Sequence, residues 1–82
     1  MHAIEAAIPT PDASRYLQQL CKHWSHKLDV SFTPQDGRVL FNEESVCVLH
    51  AAPEVLNVRI ETSDATNAAR LGDVVFRHLE RF

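Results

Sequence analysis

"VCVLHAAPEVLNVRIE", residues 46–61, decides the fold. Its second half alternates strictly: Leu56, Val58 and Ile60 are apolar, while Asn57, Arg59 and Glu61 are polar. Successive strand side chains point to opposite faces, so a period of two predicts a strand with one buried face. The first half, "VCVLHA", is apolar at both parities. Cys47, Leu49 and Ala51 are assigned inward, which puts Val46, Val48 and His50 on the other face. "APE", residues 52–54, interrupts both runs and predicts a turn. The stretch therefore reads as two antiparallel strands with one apolar face.

Working upstream, "VSF" (30–32), "PQDG" (34–37), "RVLF" (38–41) and "NEES" (42–45) read as strand, turn, strand, turn. Asp36-Gly37 between β-favouring runs predicts a hairpin turn there, because glycine accepts positive φ. Further upstream, "HAIEAAI" (2–8) alternates, with Ile4, Ala6 and Ile8 on one side. Between these strands, Ala13, Tyr16, Leu17, Leu20 and Trp24 fall on one helical stripe at about 100° per residue. Thr10 is the predicted N-cap, Pro11 the first helical residue, and the helix is predicted to end near Lys27. Downstream, residues 62–82 predict a second helix capped by Thr62, Ser63 or Asp64, with Ala68, Leu71, Val75, Leu79 and Phe82 as its stripe. Gly72 lies beside that stripe, where a small residue would suit close approach to the sheet.

The order is strand, helix, four strands, helix. Two amphipathic helices need a shared apolar surface, and the strands supply it. The predicted fold is α+β, a two-layer sandwich of one antiparallel sheet with both helices on one face, spanning residues 1–82 as a single domain. This order resembles the TATA-binding protein repeat in architecture alone.

The 82 residues hold eight Lys and Arg against eleven Asp and Glu, a net charge of −3. Binding to nucleic acid draws on basic residues that displace counterions, and no basic excess exists. No apolar run approaches the ~20 residues that span a bilayer, and the first residues lack the pattern of a secretory signal. The expectation is a cytoplasmic domain with reduced thiols at Cys21 and Cys47 and neither nucleic acid nor membrane as partner.

Chemistry-bearing residues concentrate in "YLQQLCKHWSHK", residues 16–27. Cys21 and His23 fall at opposite margins of the helical stripe and do not share a ligand position. His23 and His26, three apart, would share a helix face. His78 flanks the second stripe as His23 flanks the first, so both imidazoles would face a groove between adjacent helices. Three histidines, His23, His26 and His78, are thus the candidate metal or haem ligands. Neither their spacing nor their number matches a closed zinc site. The simpler reading is amphipathic rings between core and solvent, with Cys21 and Cys47 as buried apolar thiols. Glu43, Glu44, Asp64, Asp73 and Glu80 read as solvated charges, and no catalytic constellation is complete. Val46 and Val48 would make the uncovered sheet face partly apolar, so they are the candidate interface residues.

"PTPDASRYLQQLCKHWSHK" (9–27) and "DVVFRHLERF" (73–82) resemble a bacterial family catalogued as domain of unknown function 2218. The likeness rests on the Thr-Pro start, the Leu-Cys-Lys-His helix, the Cys-bearing strand and the closing His-Leu-Glu-Arg-Phe. Its family-like residues are Tyr16, Leu17, Cys21, His23, His26, Lys27, His78, Arg81 and Phe82. Trp24 stands where the family usually has Phe, and Val46, Val48 and His50 stand where it more often has polar or acidic residues. The resemblance implies an accessory role near iron handling, and with no catalytic constellation complete the leading expectation is a small binding or accessory module without catalysis of its own. The resemblance further implies an association with flavin-dependent siderophore-interacting proteins, hence a siderophore reductase as a partner. Self-association through the sheet face is the other partner expectation.

Overall fold

The alternation at residues 55–61 becomes β5 (Val55–Thr62), paired antiparallel with β4 (Ser45–Ala52) around Pro53 and Glu54. Cys47 lies opposite Ile60, and Leu49 opposite Val58, all four buried. The computed structural model describes residues 2–80; of Ala65, Leu79 and Glu80 it describes the backbone alone. The remaining elements are β1 (His2–Pro9), α1 (Ala13–Trp24), β2 (Asp29–Phe32), β3 (Asp36–Asn42) and α2 (Ala65–Glu80). The strands form one antiparallel sheet in the order β1-β5-β4-β3-β2. After β1, the chain crosses to the opposite edge by way of α1, then returns strand by strand until β5 meets β1.

Both helices cover the same sheet face. Leu17, Leu20, Cys21 and Trp24 of α1 are at most 5% exposed, as are Ala68 and Val75 of α2. They close over Val39, Cys47, Leu49, Leu56, Val58 and Ile60. Each such large aliphatic side chain removed from water contributes about 1.5–3 kcal/mol, which sets the sheet's register against a one-residue slip. The buried hydroxyls of Ser45 and Thr62 bond each other at 2.8 Å, satisfying both at the end of the β4–β5 ladder. Among the described residues, no helix is long and apolar enough to cross a membrane.

The boundaries of α1 differ from those predicted. Tyr16 N–H donates to the Asp12 carbonyl at 3.1 Å, so Asp12 rather than Thr10 is the N-cap, and Pro11 precedes the helix. Thr10 still accepts the Asp12 N–H through its hydroxyl at 3.0 Å. The helix ends at Trp24, because the Ser25 hydroxyl donates to the Lys22 carbonyl and the Lys27 N–H bonds the Trp24 carbonyl, three residues back, instead of that of His23. His26 therefore lies in a turn and not on the helix. In α2, Asp64 caps through its carboxylate, which accepts the Thr66 N–H at 2.7 Å. Of the predicted stripe, the Leu79 side chain and Phe82 lie outside the described residues, as does Arg81.

The β2–β3 turn also shifts. Thr33, Pro34 and Gln35 make it: the Thr33 hydroxyl accepts the N–H groups of Gln35 and Asp36, and Thr33 N–H donates to the Asp36 carbonyl. Ser14 of α1 donates its hydroxyl to the Pro34 carbonyl and ties the turn to the helix. Asp36 and Gly37 are already in β3, opposite His50 and Leu49, and Gly37 has no positive φ. Gly37 serves a different need. A Cβ there would lie 2.8 Å from Cys21 Sγ and 3.4 Å from both Leu17 Cδ2 and Leu49 Cδ1. Glycine is what lets α1 sit this close to β3. Gly72 is the reverse case, since a Cβ would meet Phe76 and Ile60 at ordinary distances of 3.8 and 4.0 Å.

The two glycines should respond oppositely to alanine in urea unfolding. Gly37→Ala should cost about 1–3 kcal/mol by overpacking, and Cys21→Ala in that background should recover part of it. Gly72→Ala should add about 0.5–1 kcal/mol, the helical preference of alanine over glycine. A neutral Gly37→Ala would show that α1 is not held this close.

Candidate functional site

The sheet face away from the helices carries Ser31, Arg38, Val48, Arg59 and Glu5 in one register row across all five strands. A second row runs Asp36, His50, Asn57, Ala7. At the centre, Val48 is 38% exposed, the one exposed large hydrophobic among the described residues. It forms a low ridge between two shallow depressions. One, of ≈ 360 Å³, is lined by Glu5, Ala7, Val48, His50, Asn57 and Arg59. The other, of ≈ 380 Å³, is lined by Ser31, Phe32, Asp36, Arg38 and Val48. Val46, on the same face, is half-buried beside Leu40 and Glu61.

The charges on this face are unevenly matched. Arg59 donates to Glu61 at 2.7 Å and also to Glu5, and these two carboxylates hold its guanidinium pKa above the ordinary value. His50 donates Nδ1–H to the Asp36 carboxylate at 2.8 Å, which leaves Nε2 directed elsewhere. Arg38 makes no ion pair among the described residues. The Asp36–His50 pair resembles the base and orienter of a hydrolase. Among the described residues, no Ser, Thr or Cys lines the depression that holds His50, so none of them completes it as a nucleophile.

On the helical side, the structure brings His23 and His78 together, with ring centroids 5.3 Å apart and planes tilted by 49°. His78 also lies 5.1 Å from Trp24, which meets Phe41 edge-on at 5.2 Å. Because a carbonyl can only accept, the 2.7 Å contact from His78 Nδ1 to the Val74 carbonyl fixes Nδ1 as a donor. His26 does not join them. It is exposed in the turn after α1, and no group of three or more His, Cys, Asp or Glu among the described residues is placed to hold a metal.

Cys21 and Cys47 are free and fully buried between helix and sheet. Burial pushes the Cys21 thiol up to about 11. Burial, and secondarily the charge of Cys21, push Cys47 to about 12. Both are held as neutral thiols, the opposite of the thiolate that reactivity requires.

Sequence reasoning missed the Asp36–His50 pair because it placed Asp36 in a turn. Once Asp36 belongs to β3, its parity matches Arg38 and it faces His50 in register. Thr33 directly before Pro34, able to accept its own downstream amides, was the available signal for the earlier turn. The Glu5–Arg59–Glu61 group was missed because pairing of the first strand with the last cannot be read from local pattern.

A family profile described as "Uncharacterized protein conserved in bacteria (DUF2218)" matches residues 5–82. The chain is similar to a protein solved by NMR, PA4090 from Pseudomonas aeruginosa. The two are 36% identical and superpose with a TM-score of 0.86, over 99% of this chain and 83% of that one. No curated protein matches the chain.

The raised thiols give a pH dependence of definite sign. Unfolded thiols ionise near their ordinary value of 9.0, while the buried ones hold their protons to about 11 and 12. The folded state then binds more protons, so stability should fall as pH rises from 9 towards 11 and 12, by at most about 1.4 kcal/mol per pH unit for each thiol. Urea unfolding from pH 7 upwards should show this loss, and the double replacement Cys21→Ala with Cys47→Ala should flatten it. A thiol reagent at pH 8 should label neither cysteine until urea is added; rapid labelling of the native protein would refute their neutral, enclosed state.

Proposed function

The chain belongs to the bacterial DUF2218 family, and from that premise we propose that it is a non-catalytic binding module that docks a protein partner on its open sheet face. The observation that carries this reading is Val48, left exposed between two shallow depressions at the centre of a sheet whose other face is filled. Arg38 beside it lacks an ion-pair partner among the described residues, whereas His50 has one and Arg59 has two. The fitting partner brings an apolar side chain to Val48 and a carboxylate to Arg38. The partner class that the family resemblance implies is a flavin-dependent siderophore reductase, which makes the domain an accessory to iron handling. Two buried free thiols suit a reducing compartment, so the proposed location is the cytoplasm.

Size sets the expected strength. Five strands about 4.8 Å apart and four to eight residues long offer on the order of 550 Å². A standard interface covers about 800 Å² per partner, so a weak or transient complex is the expected kind.

Titrating the domain into a purified siderophore reductase by calorimetry should give a one-to-one complex. Val48→Lys should weaken it by roughly tenfold or more, and Arg38→Glu should weaken it in a salt-dependent way. Both positions are exposed, so the variants should fold as the parent does. Absence of a complex, or a complex indifferent to Val48→Lys, would refute the reading. So would a stable homodimer in sedimentation that Val48→Lys dissociates, since the face would then belong to a second copy.

A further inference from the structure

We propose that His23 and His78 form a two-imidazole site for a divalent first-row transition ion where the C-terminal ends of α1 and α2 meet. The site does not depend on the open sheet face and lies in the other layer of the sandwich.

Two imidazoles bound to one tetrahedral ion through bonds of about 2 Å place their ring centroids about 5 Å apart. The observed separation is 5.3 Å. A haem iron held between two imidazoles in line would set the centroids about 6 Å apart, so this pair suits a small ion better than a haem.

The Val74 carbonyl takes the Nδ1 proton of His78 at 2.7 Å. In the neutral ring the lone pair is then on Nε2. This is the usual arrangement behind a metal-bound histidine, where a carbonyl orients the ring and raises its basicity. Trp24, 5.1 Å from the His78 ring and itself 5% exposed, packs against the ring and limits its motion.

His23 is in the last turn of α1 and His78 in the last turn of α2. Both helices direct the negative end of their dipole toward the site, which favours a cation. Lys22 and Arg77, exposed in the same turns, oppose it. Among the described residues only two protein ligands are present, so the remaining positions fall to water or to a ligand from outside. The affinity is accordingly well below that of a four-ligand structural site. Imidazole ligands select zinc, nickel or copper over magnesium and calcium, which prefer oxygen.

Zinc binding to the full chain can be followed by calorimetry and by NMR of the histidine rings. A one-to-one complex is expected, with the resonances of His23 and His78 shifting together and magnesium without effect. His23→Gln and His78→Phe should each weaken binding by roughly tenfold or more. The phenylalanine keeps the ring packed on Trp24, so a folded variant that still loses zinc separates ligation from packing. His26→Ala should leave the affinity within about twofold. No zinc binding, binding that survives both His23→Gln and His78→Phe, or binding that follows His2, His26 or His50 would each overturn the proposal.

Discussion

A single apolar sheet face must be closed by both helices, and everything else in the molecule follows from how closely they can approach. A close point is Cys21 of α1 over Gly37 of β3, where a single methyl group on glycine would bring carbon to within 2.8 Å of sulfur. This contact holds α1 low over β3 and β4, and it leaves both thiols dry and protonated. The cysteines are therefore part of the packing, and their chemistry is suppressed by the environment that makes them useful there.

Closing one face leaves the other open, and the two faces have opposite characters. Inside, Leu49, Leu56, Val58 and Ile60 are at most 2% exposed. Outside, the same strands present Arg59 between two carboxylates, His50 on Asp36, and Val48 between them. Strand alternation produces this division directly, because a residue next to a buried one in a strand must face away. What distinguishes the outer face is the mismatch in its charges. Its paired groups are already satisfied, and Arg38 beside the one apolar ridge has no ion-pair partner among the described residues.

The histidines divide along a similar line. His23 and His26 lie three apart in sequence, yet only His23 reaches His78, because α1 stops at Trp24. The stop has a local cause: the Ser25 hydroxyl donates to the Lys22 carbonyl and the Lys27 amide bonds Trp24 instead of His23, which starts the turn that carries His26 away. Trp24 is also the packing surface for His78, so the same residue ends the helix and steadies the ring across from it.

By itself the sequence determined the element order, the buried parity of β4 and β5, both amphipathic helices and the two-layer sandwich, because each rests on local periodicity that burial must respect. It also put Val46, Val48 and His50 on the outer face, by the same parity. Tertiary structure alone decided that β1 pairs with β5, which brings Glu5 to Arg59 across 54 residues of chain. It alone placed Asp36 opposite His50, assigned Gly37 to close packing instead of a turn, and selected His23 and His78 from three candidate histidines. These outcomes depend on distances between segments remote in sequence, and no period along one segment encodes the gap between two.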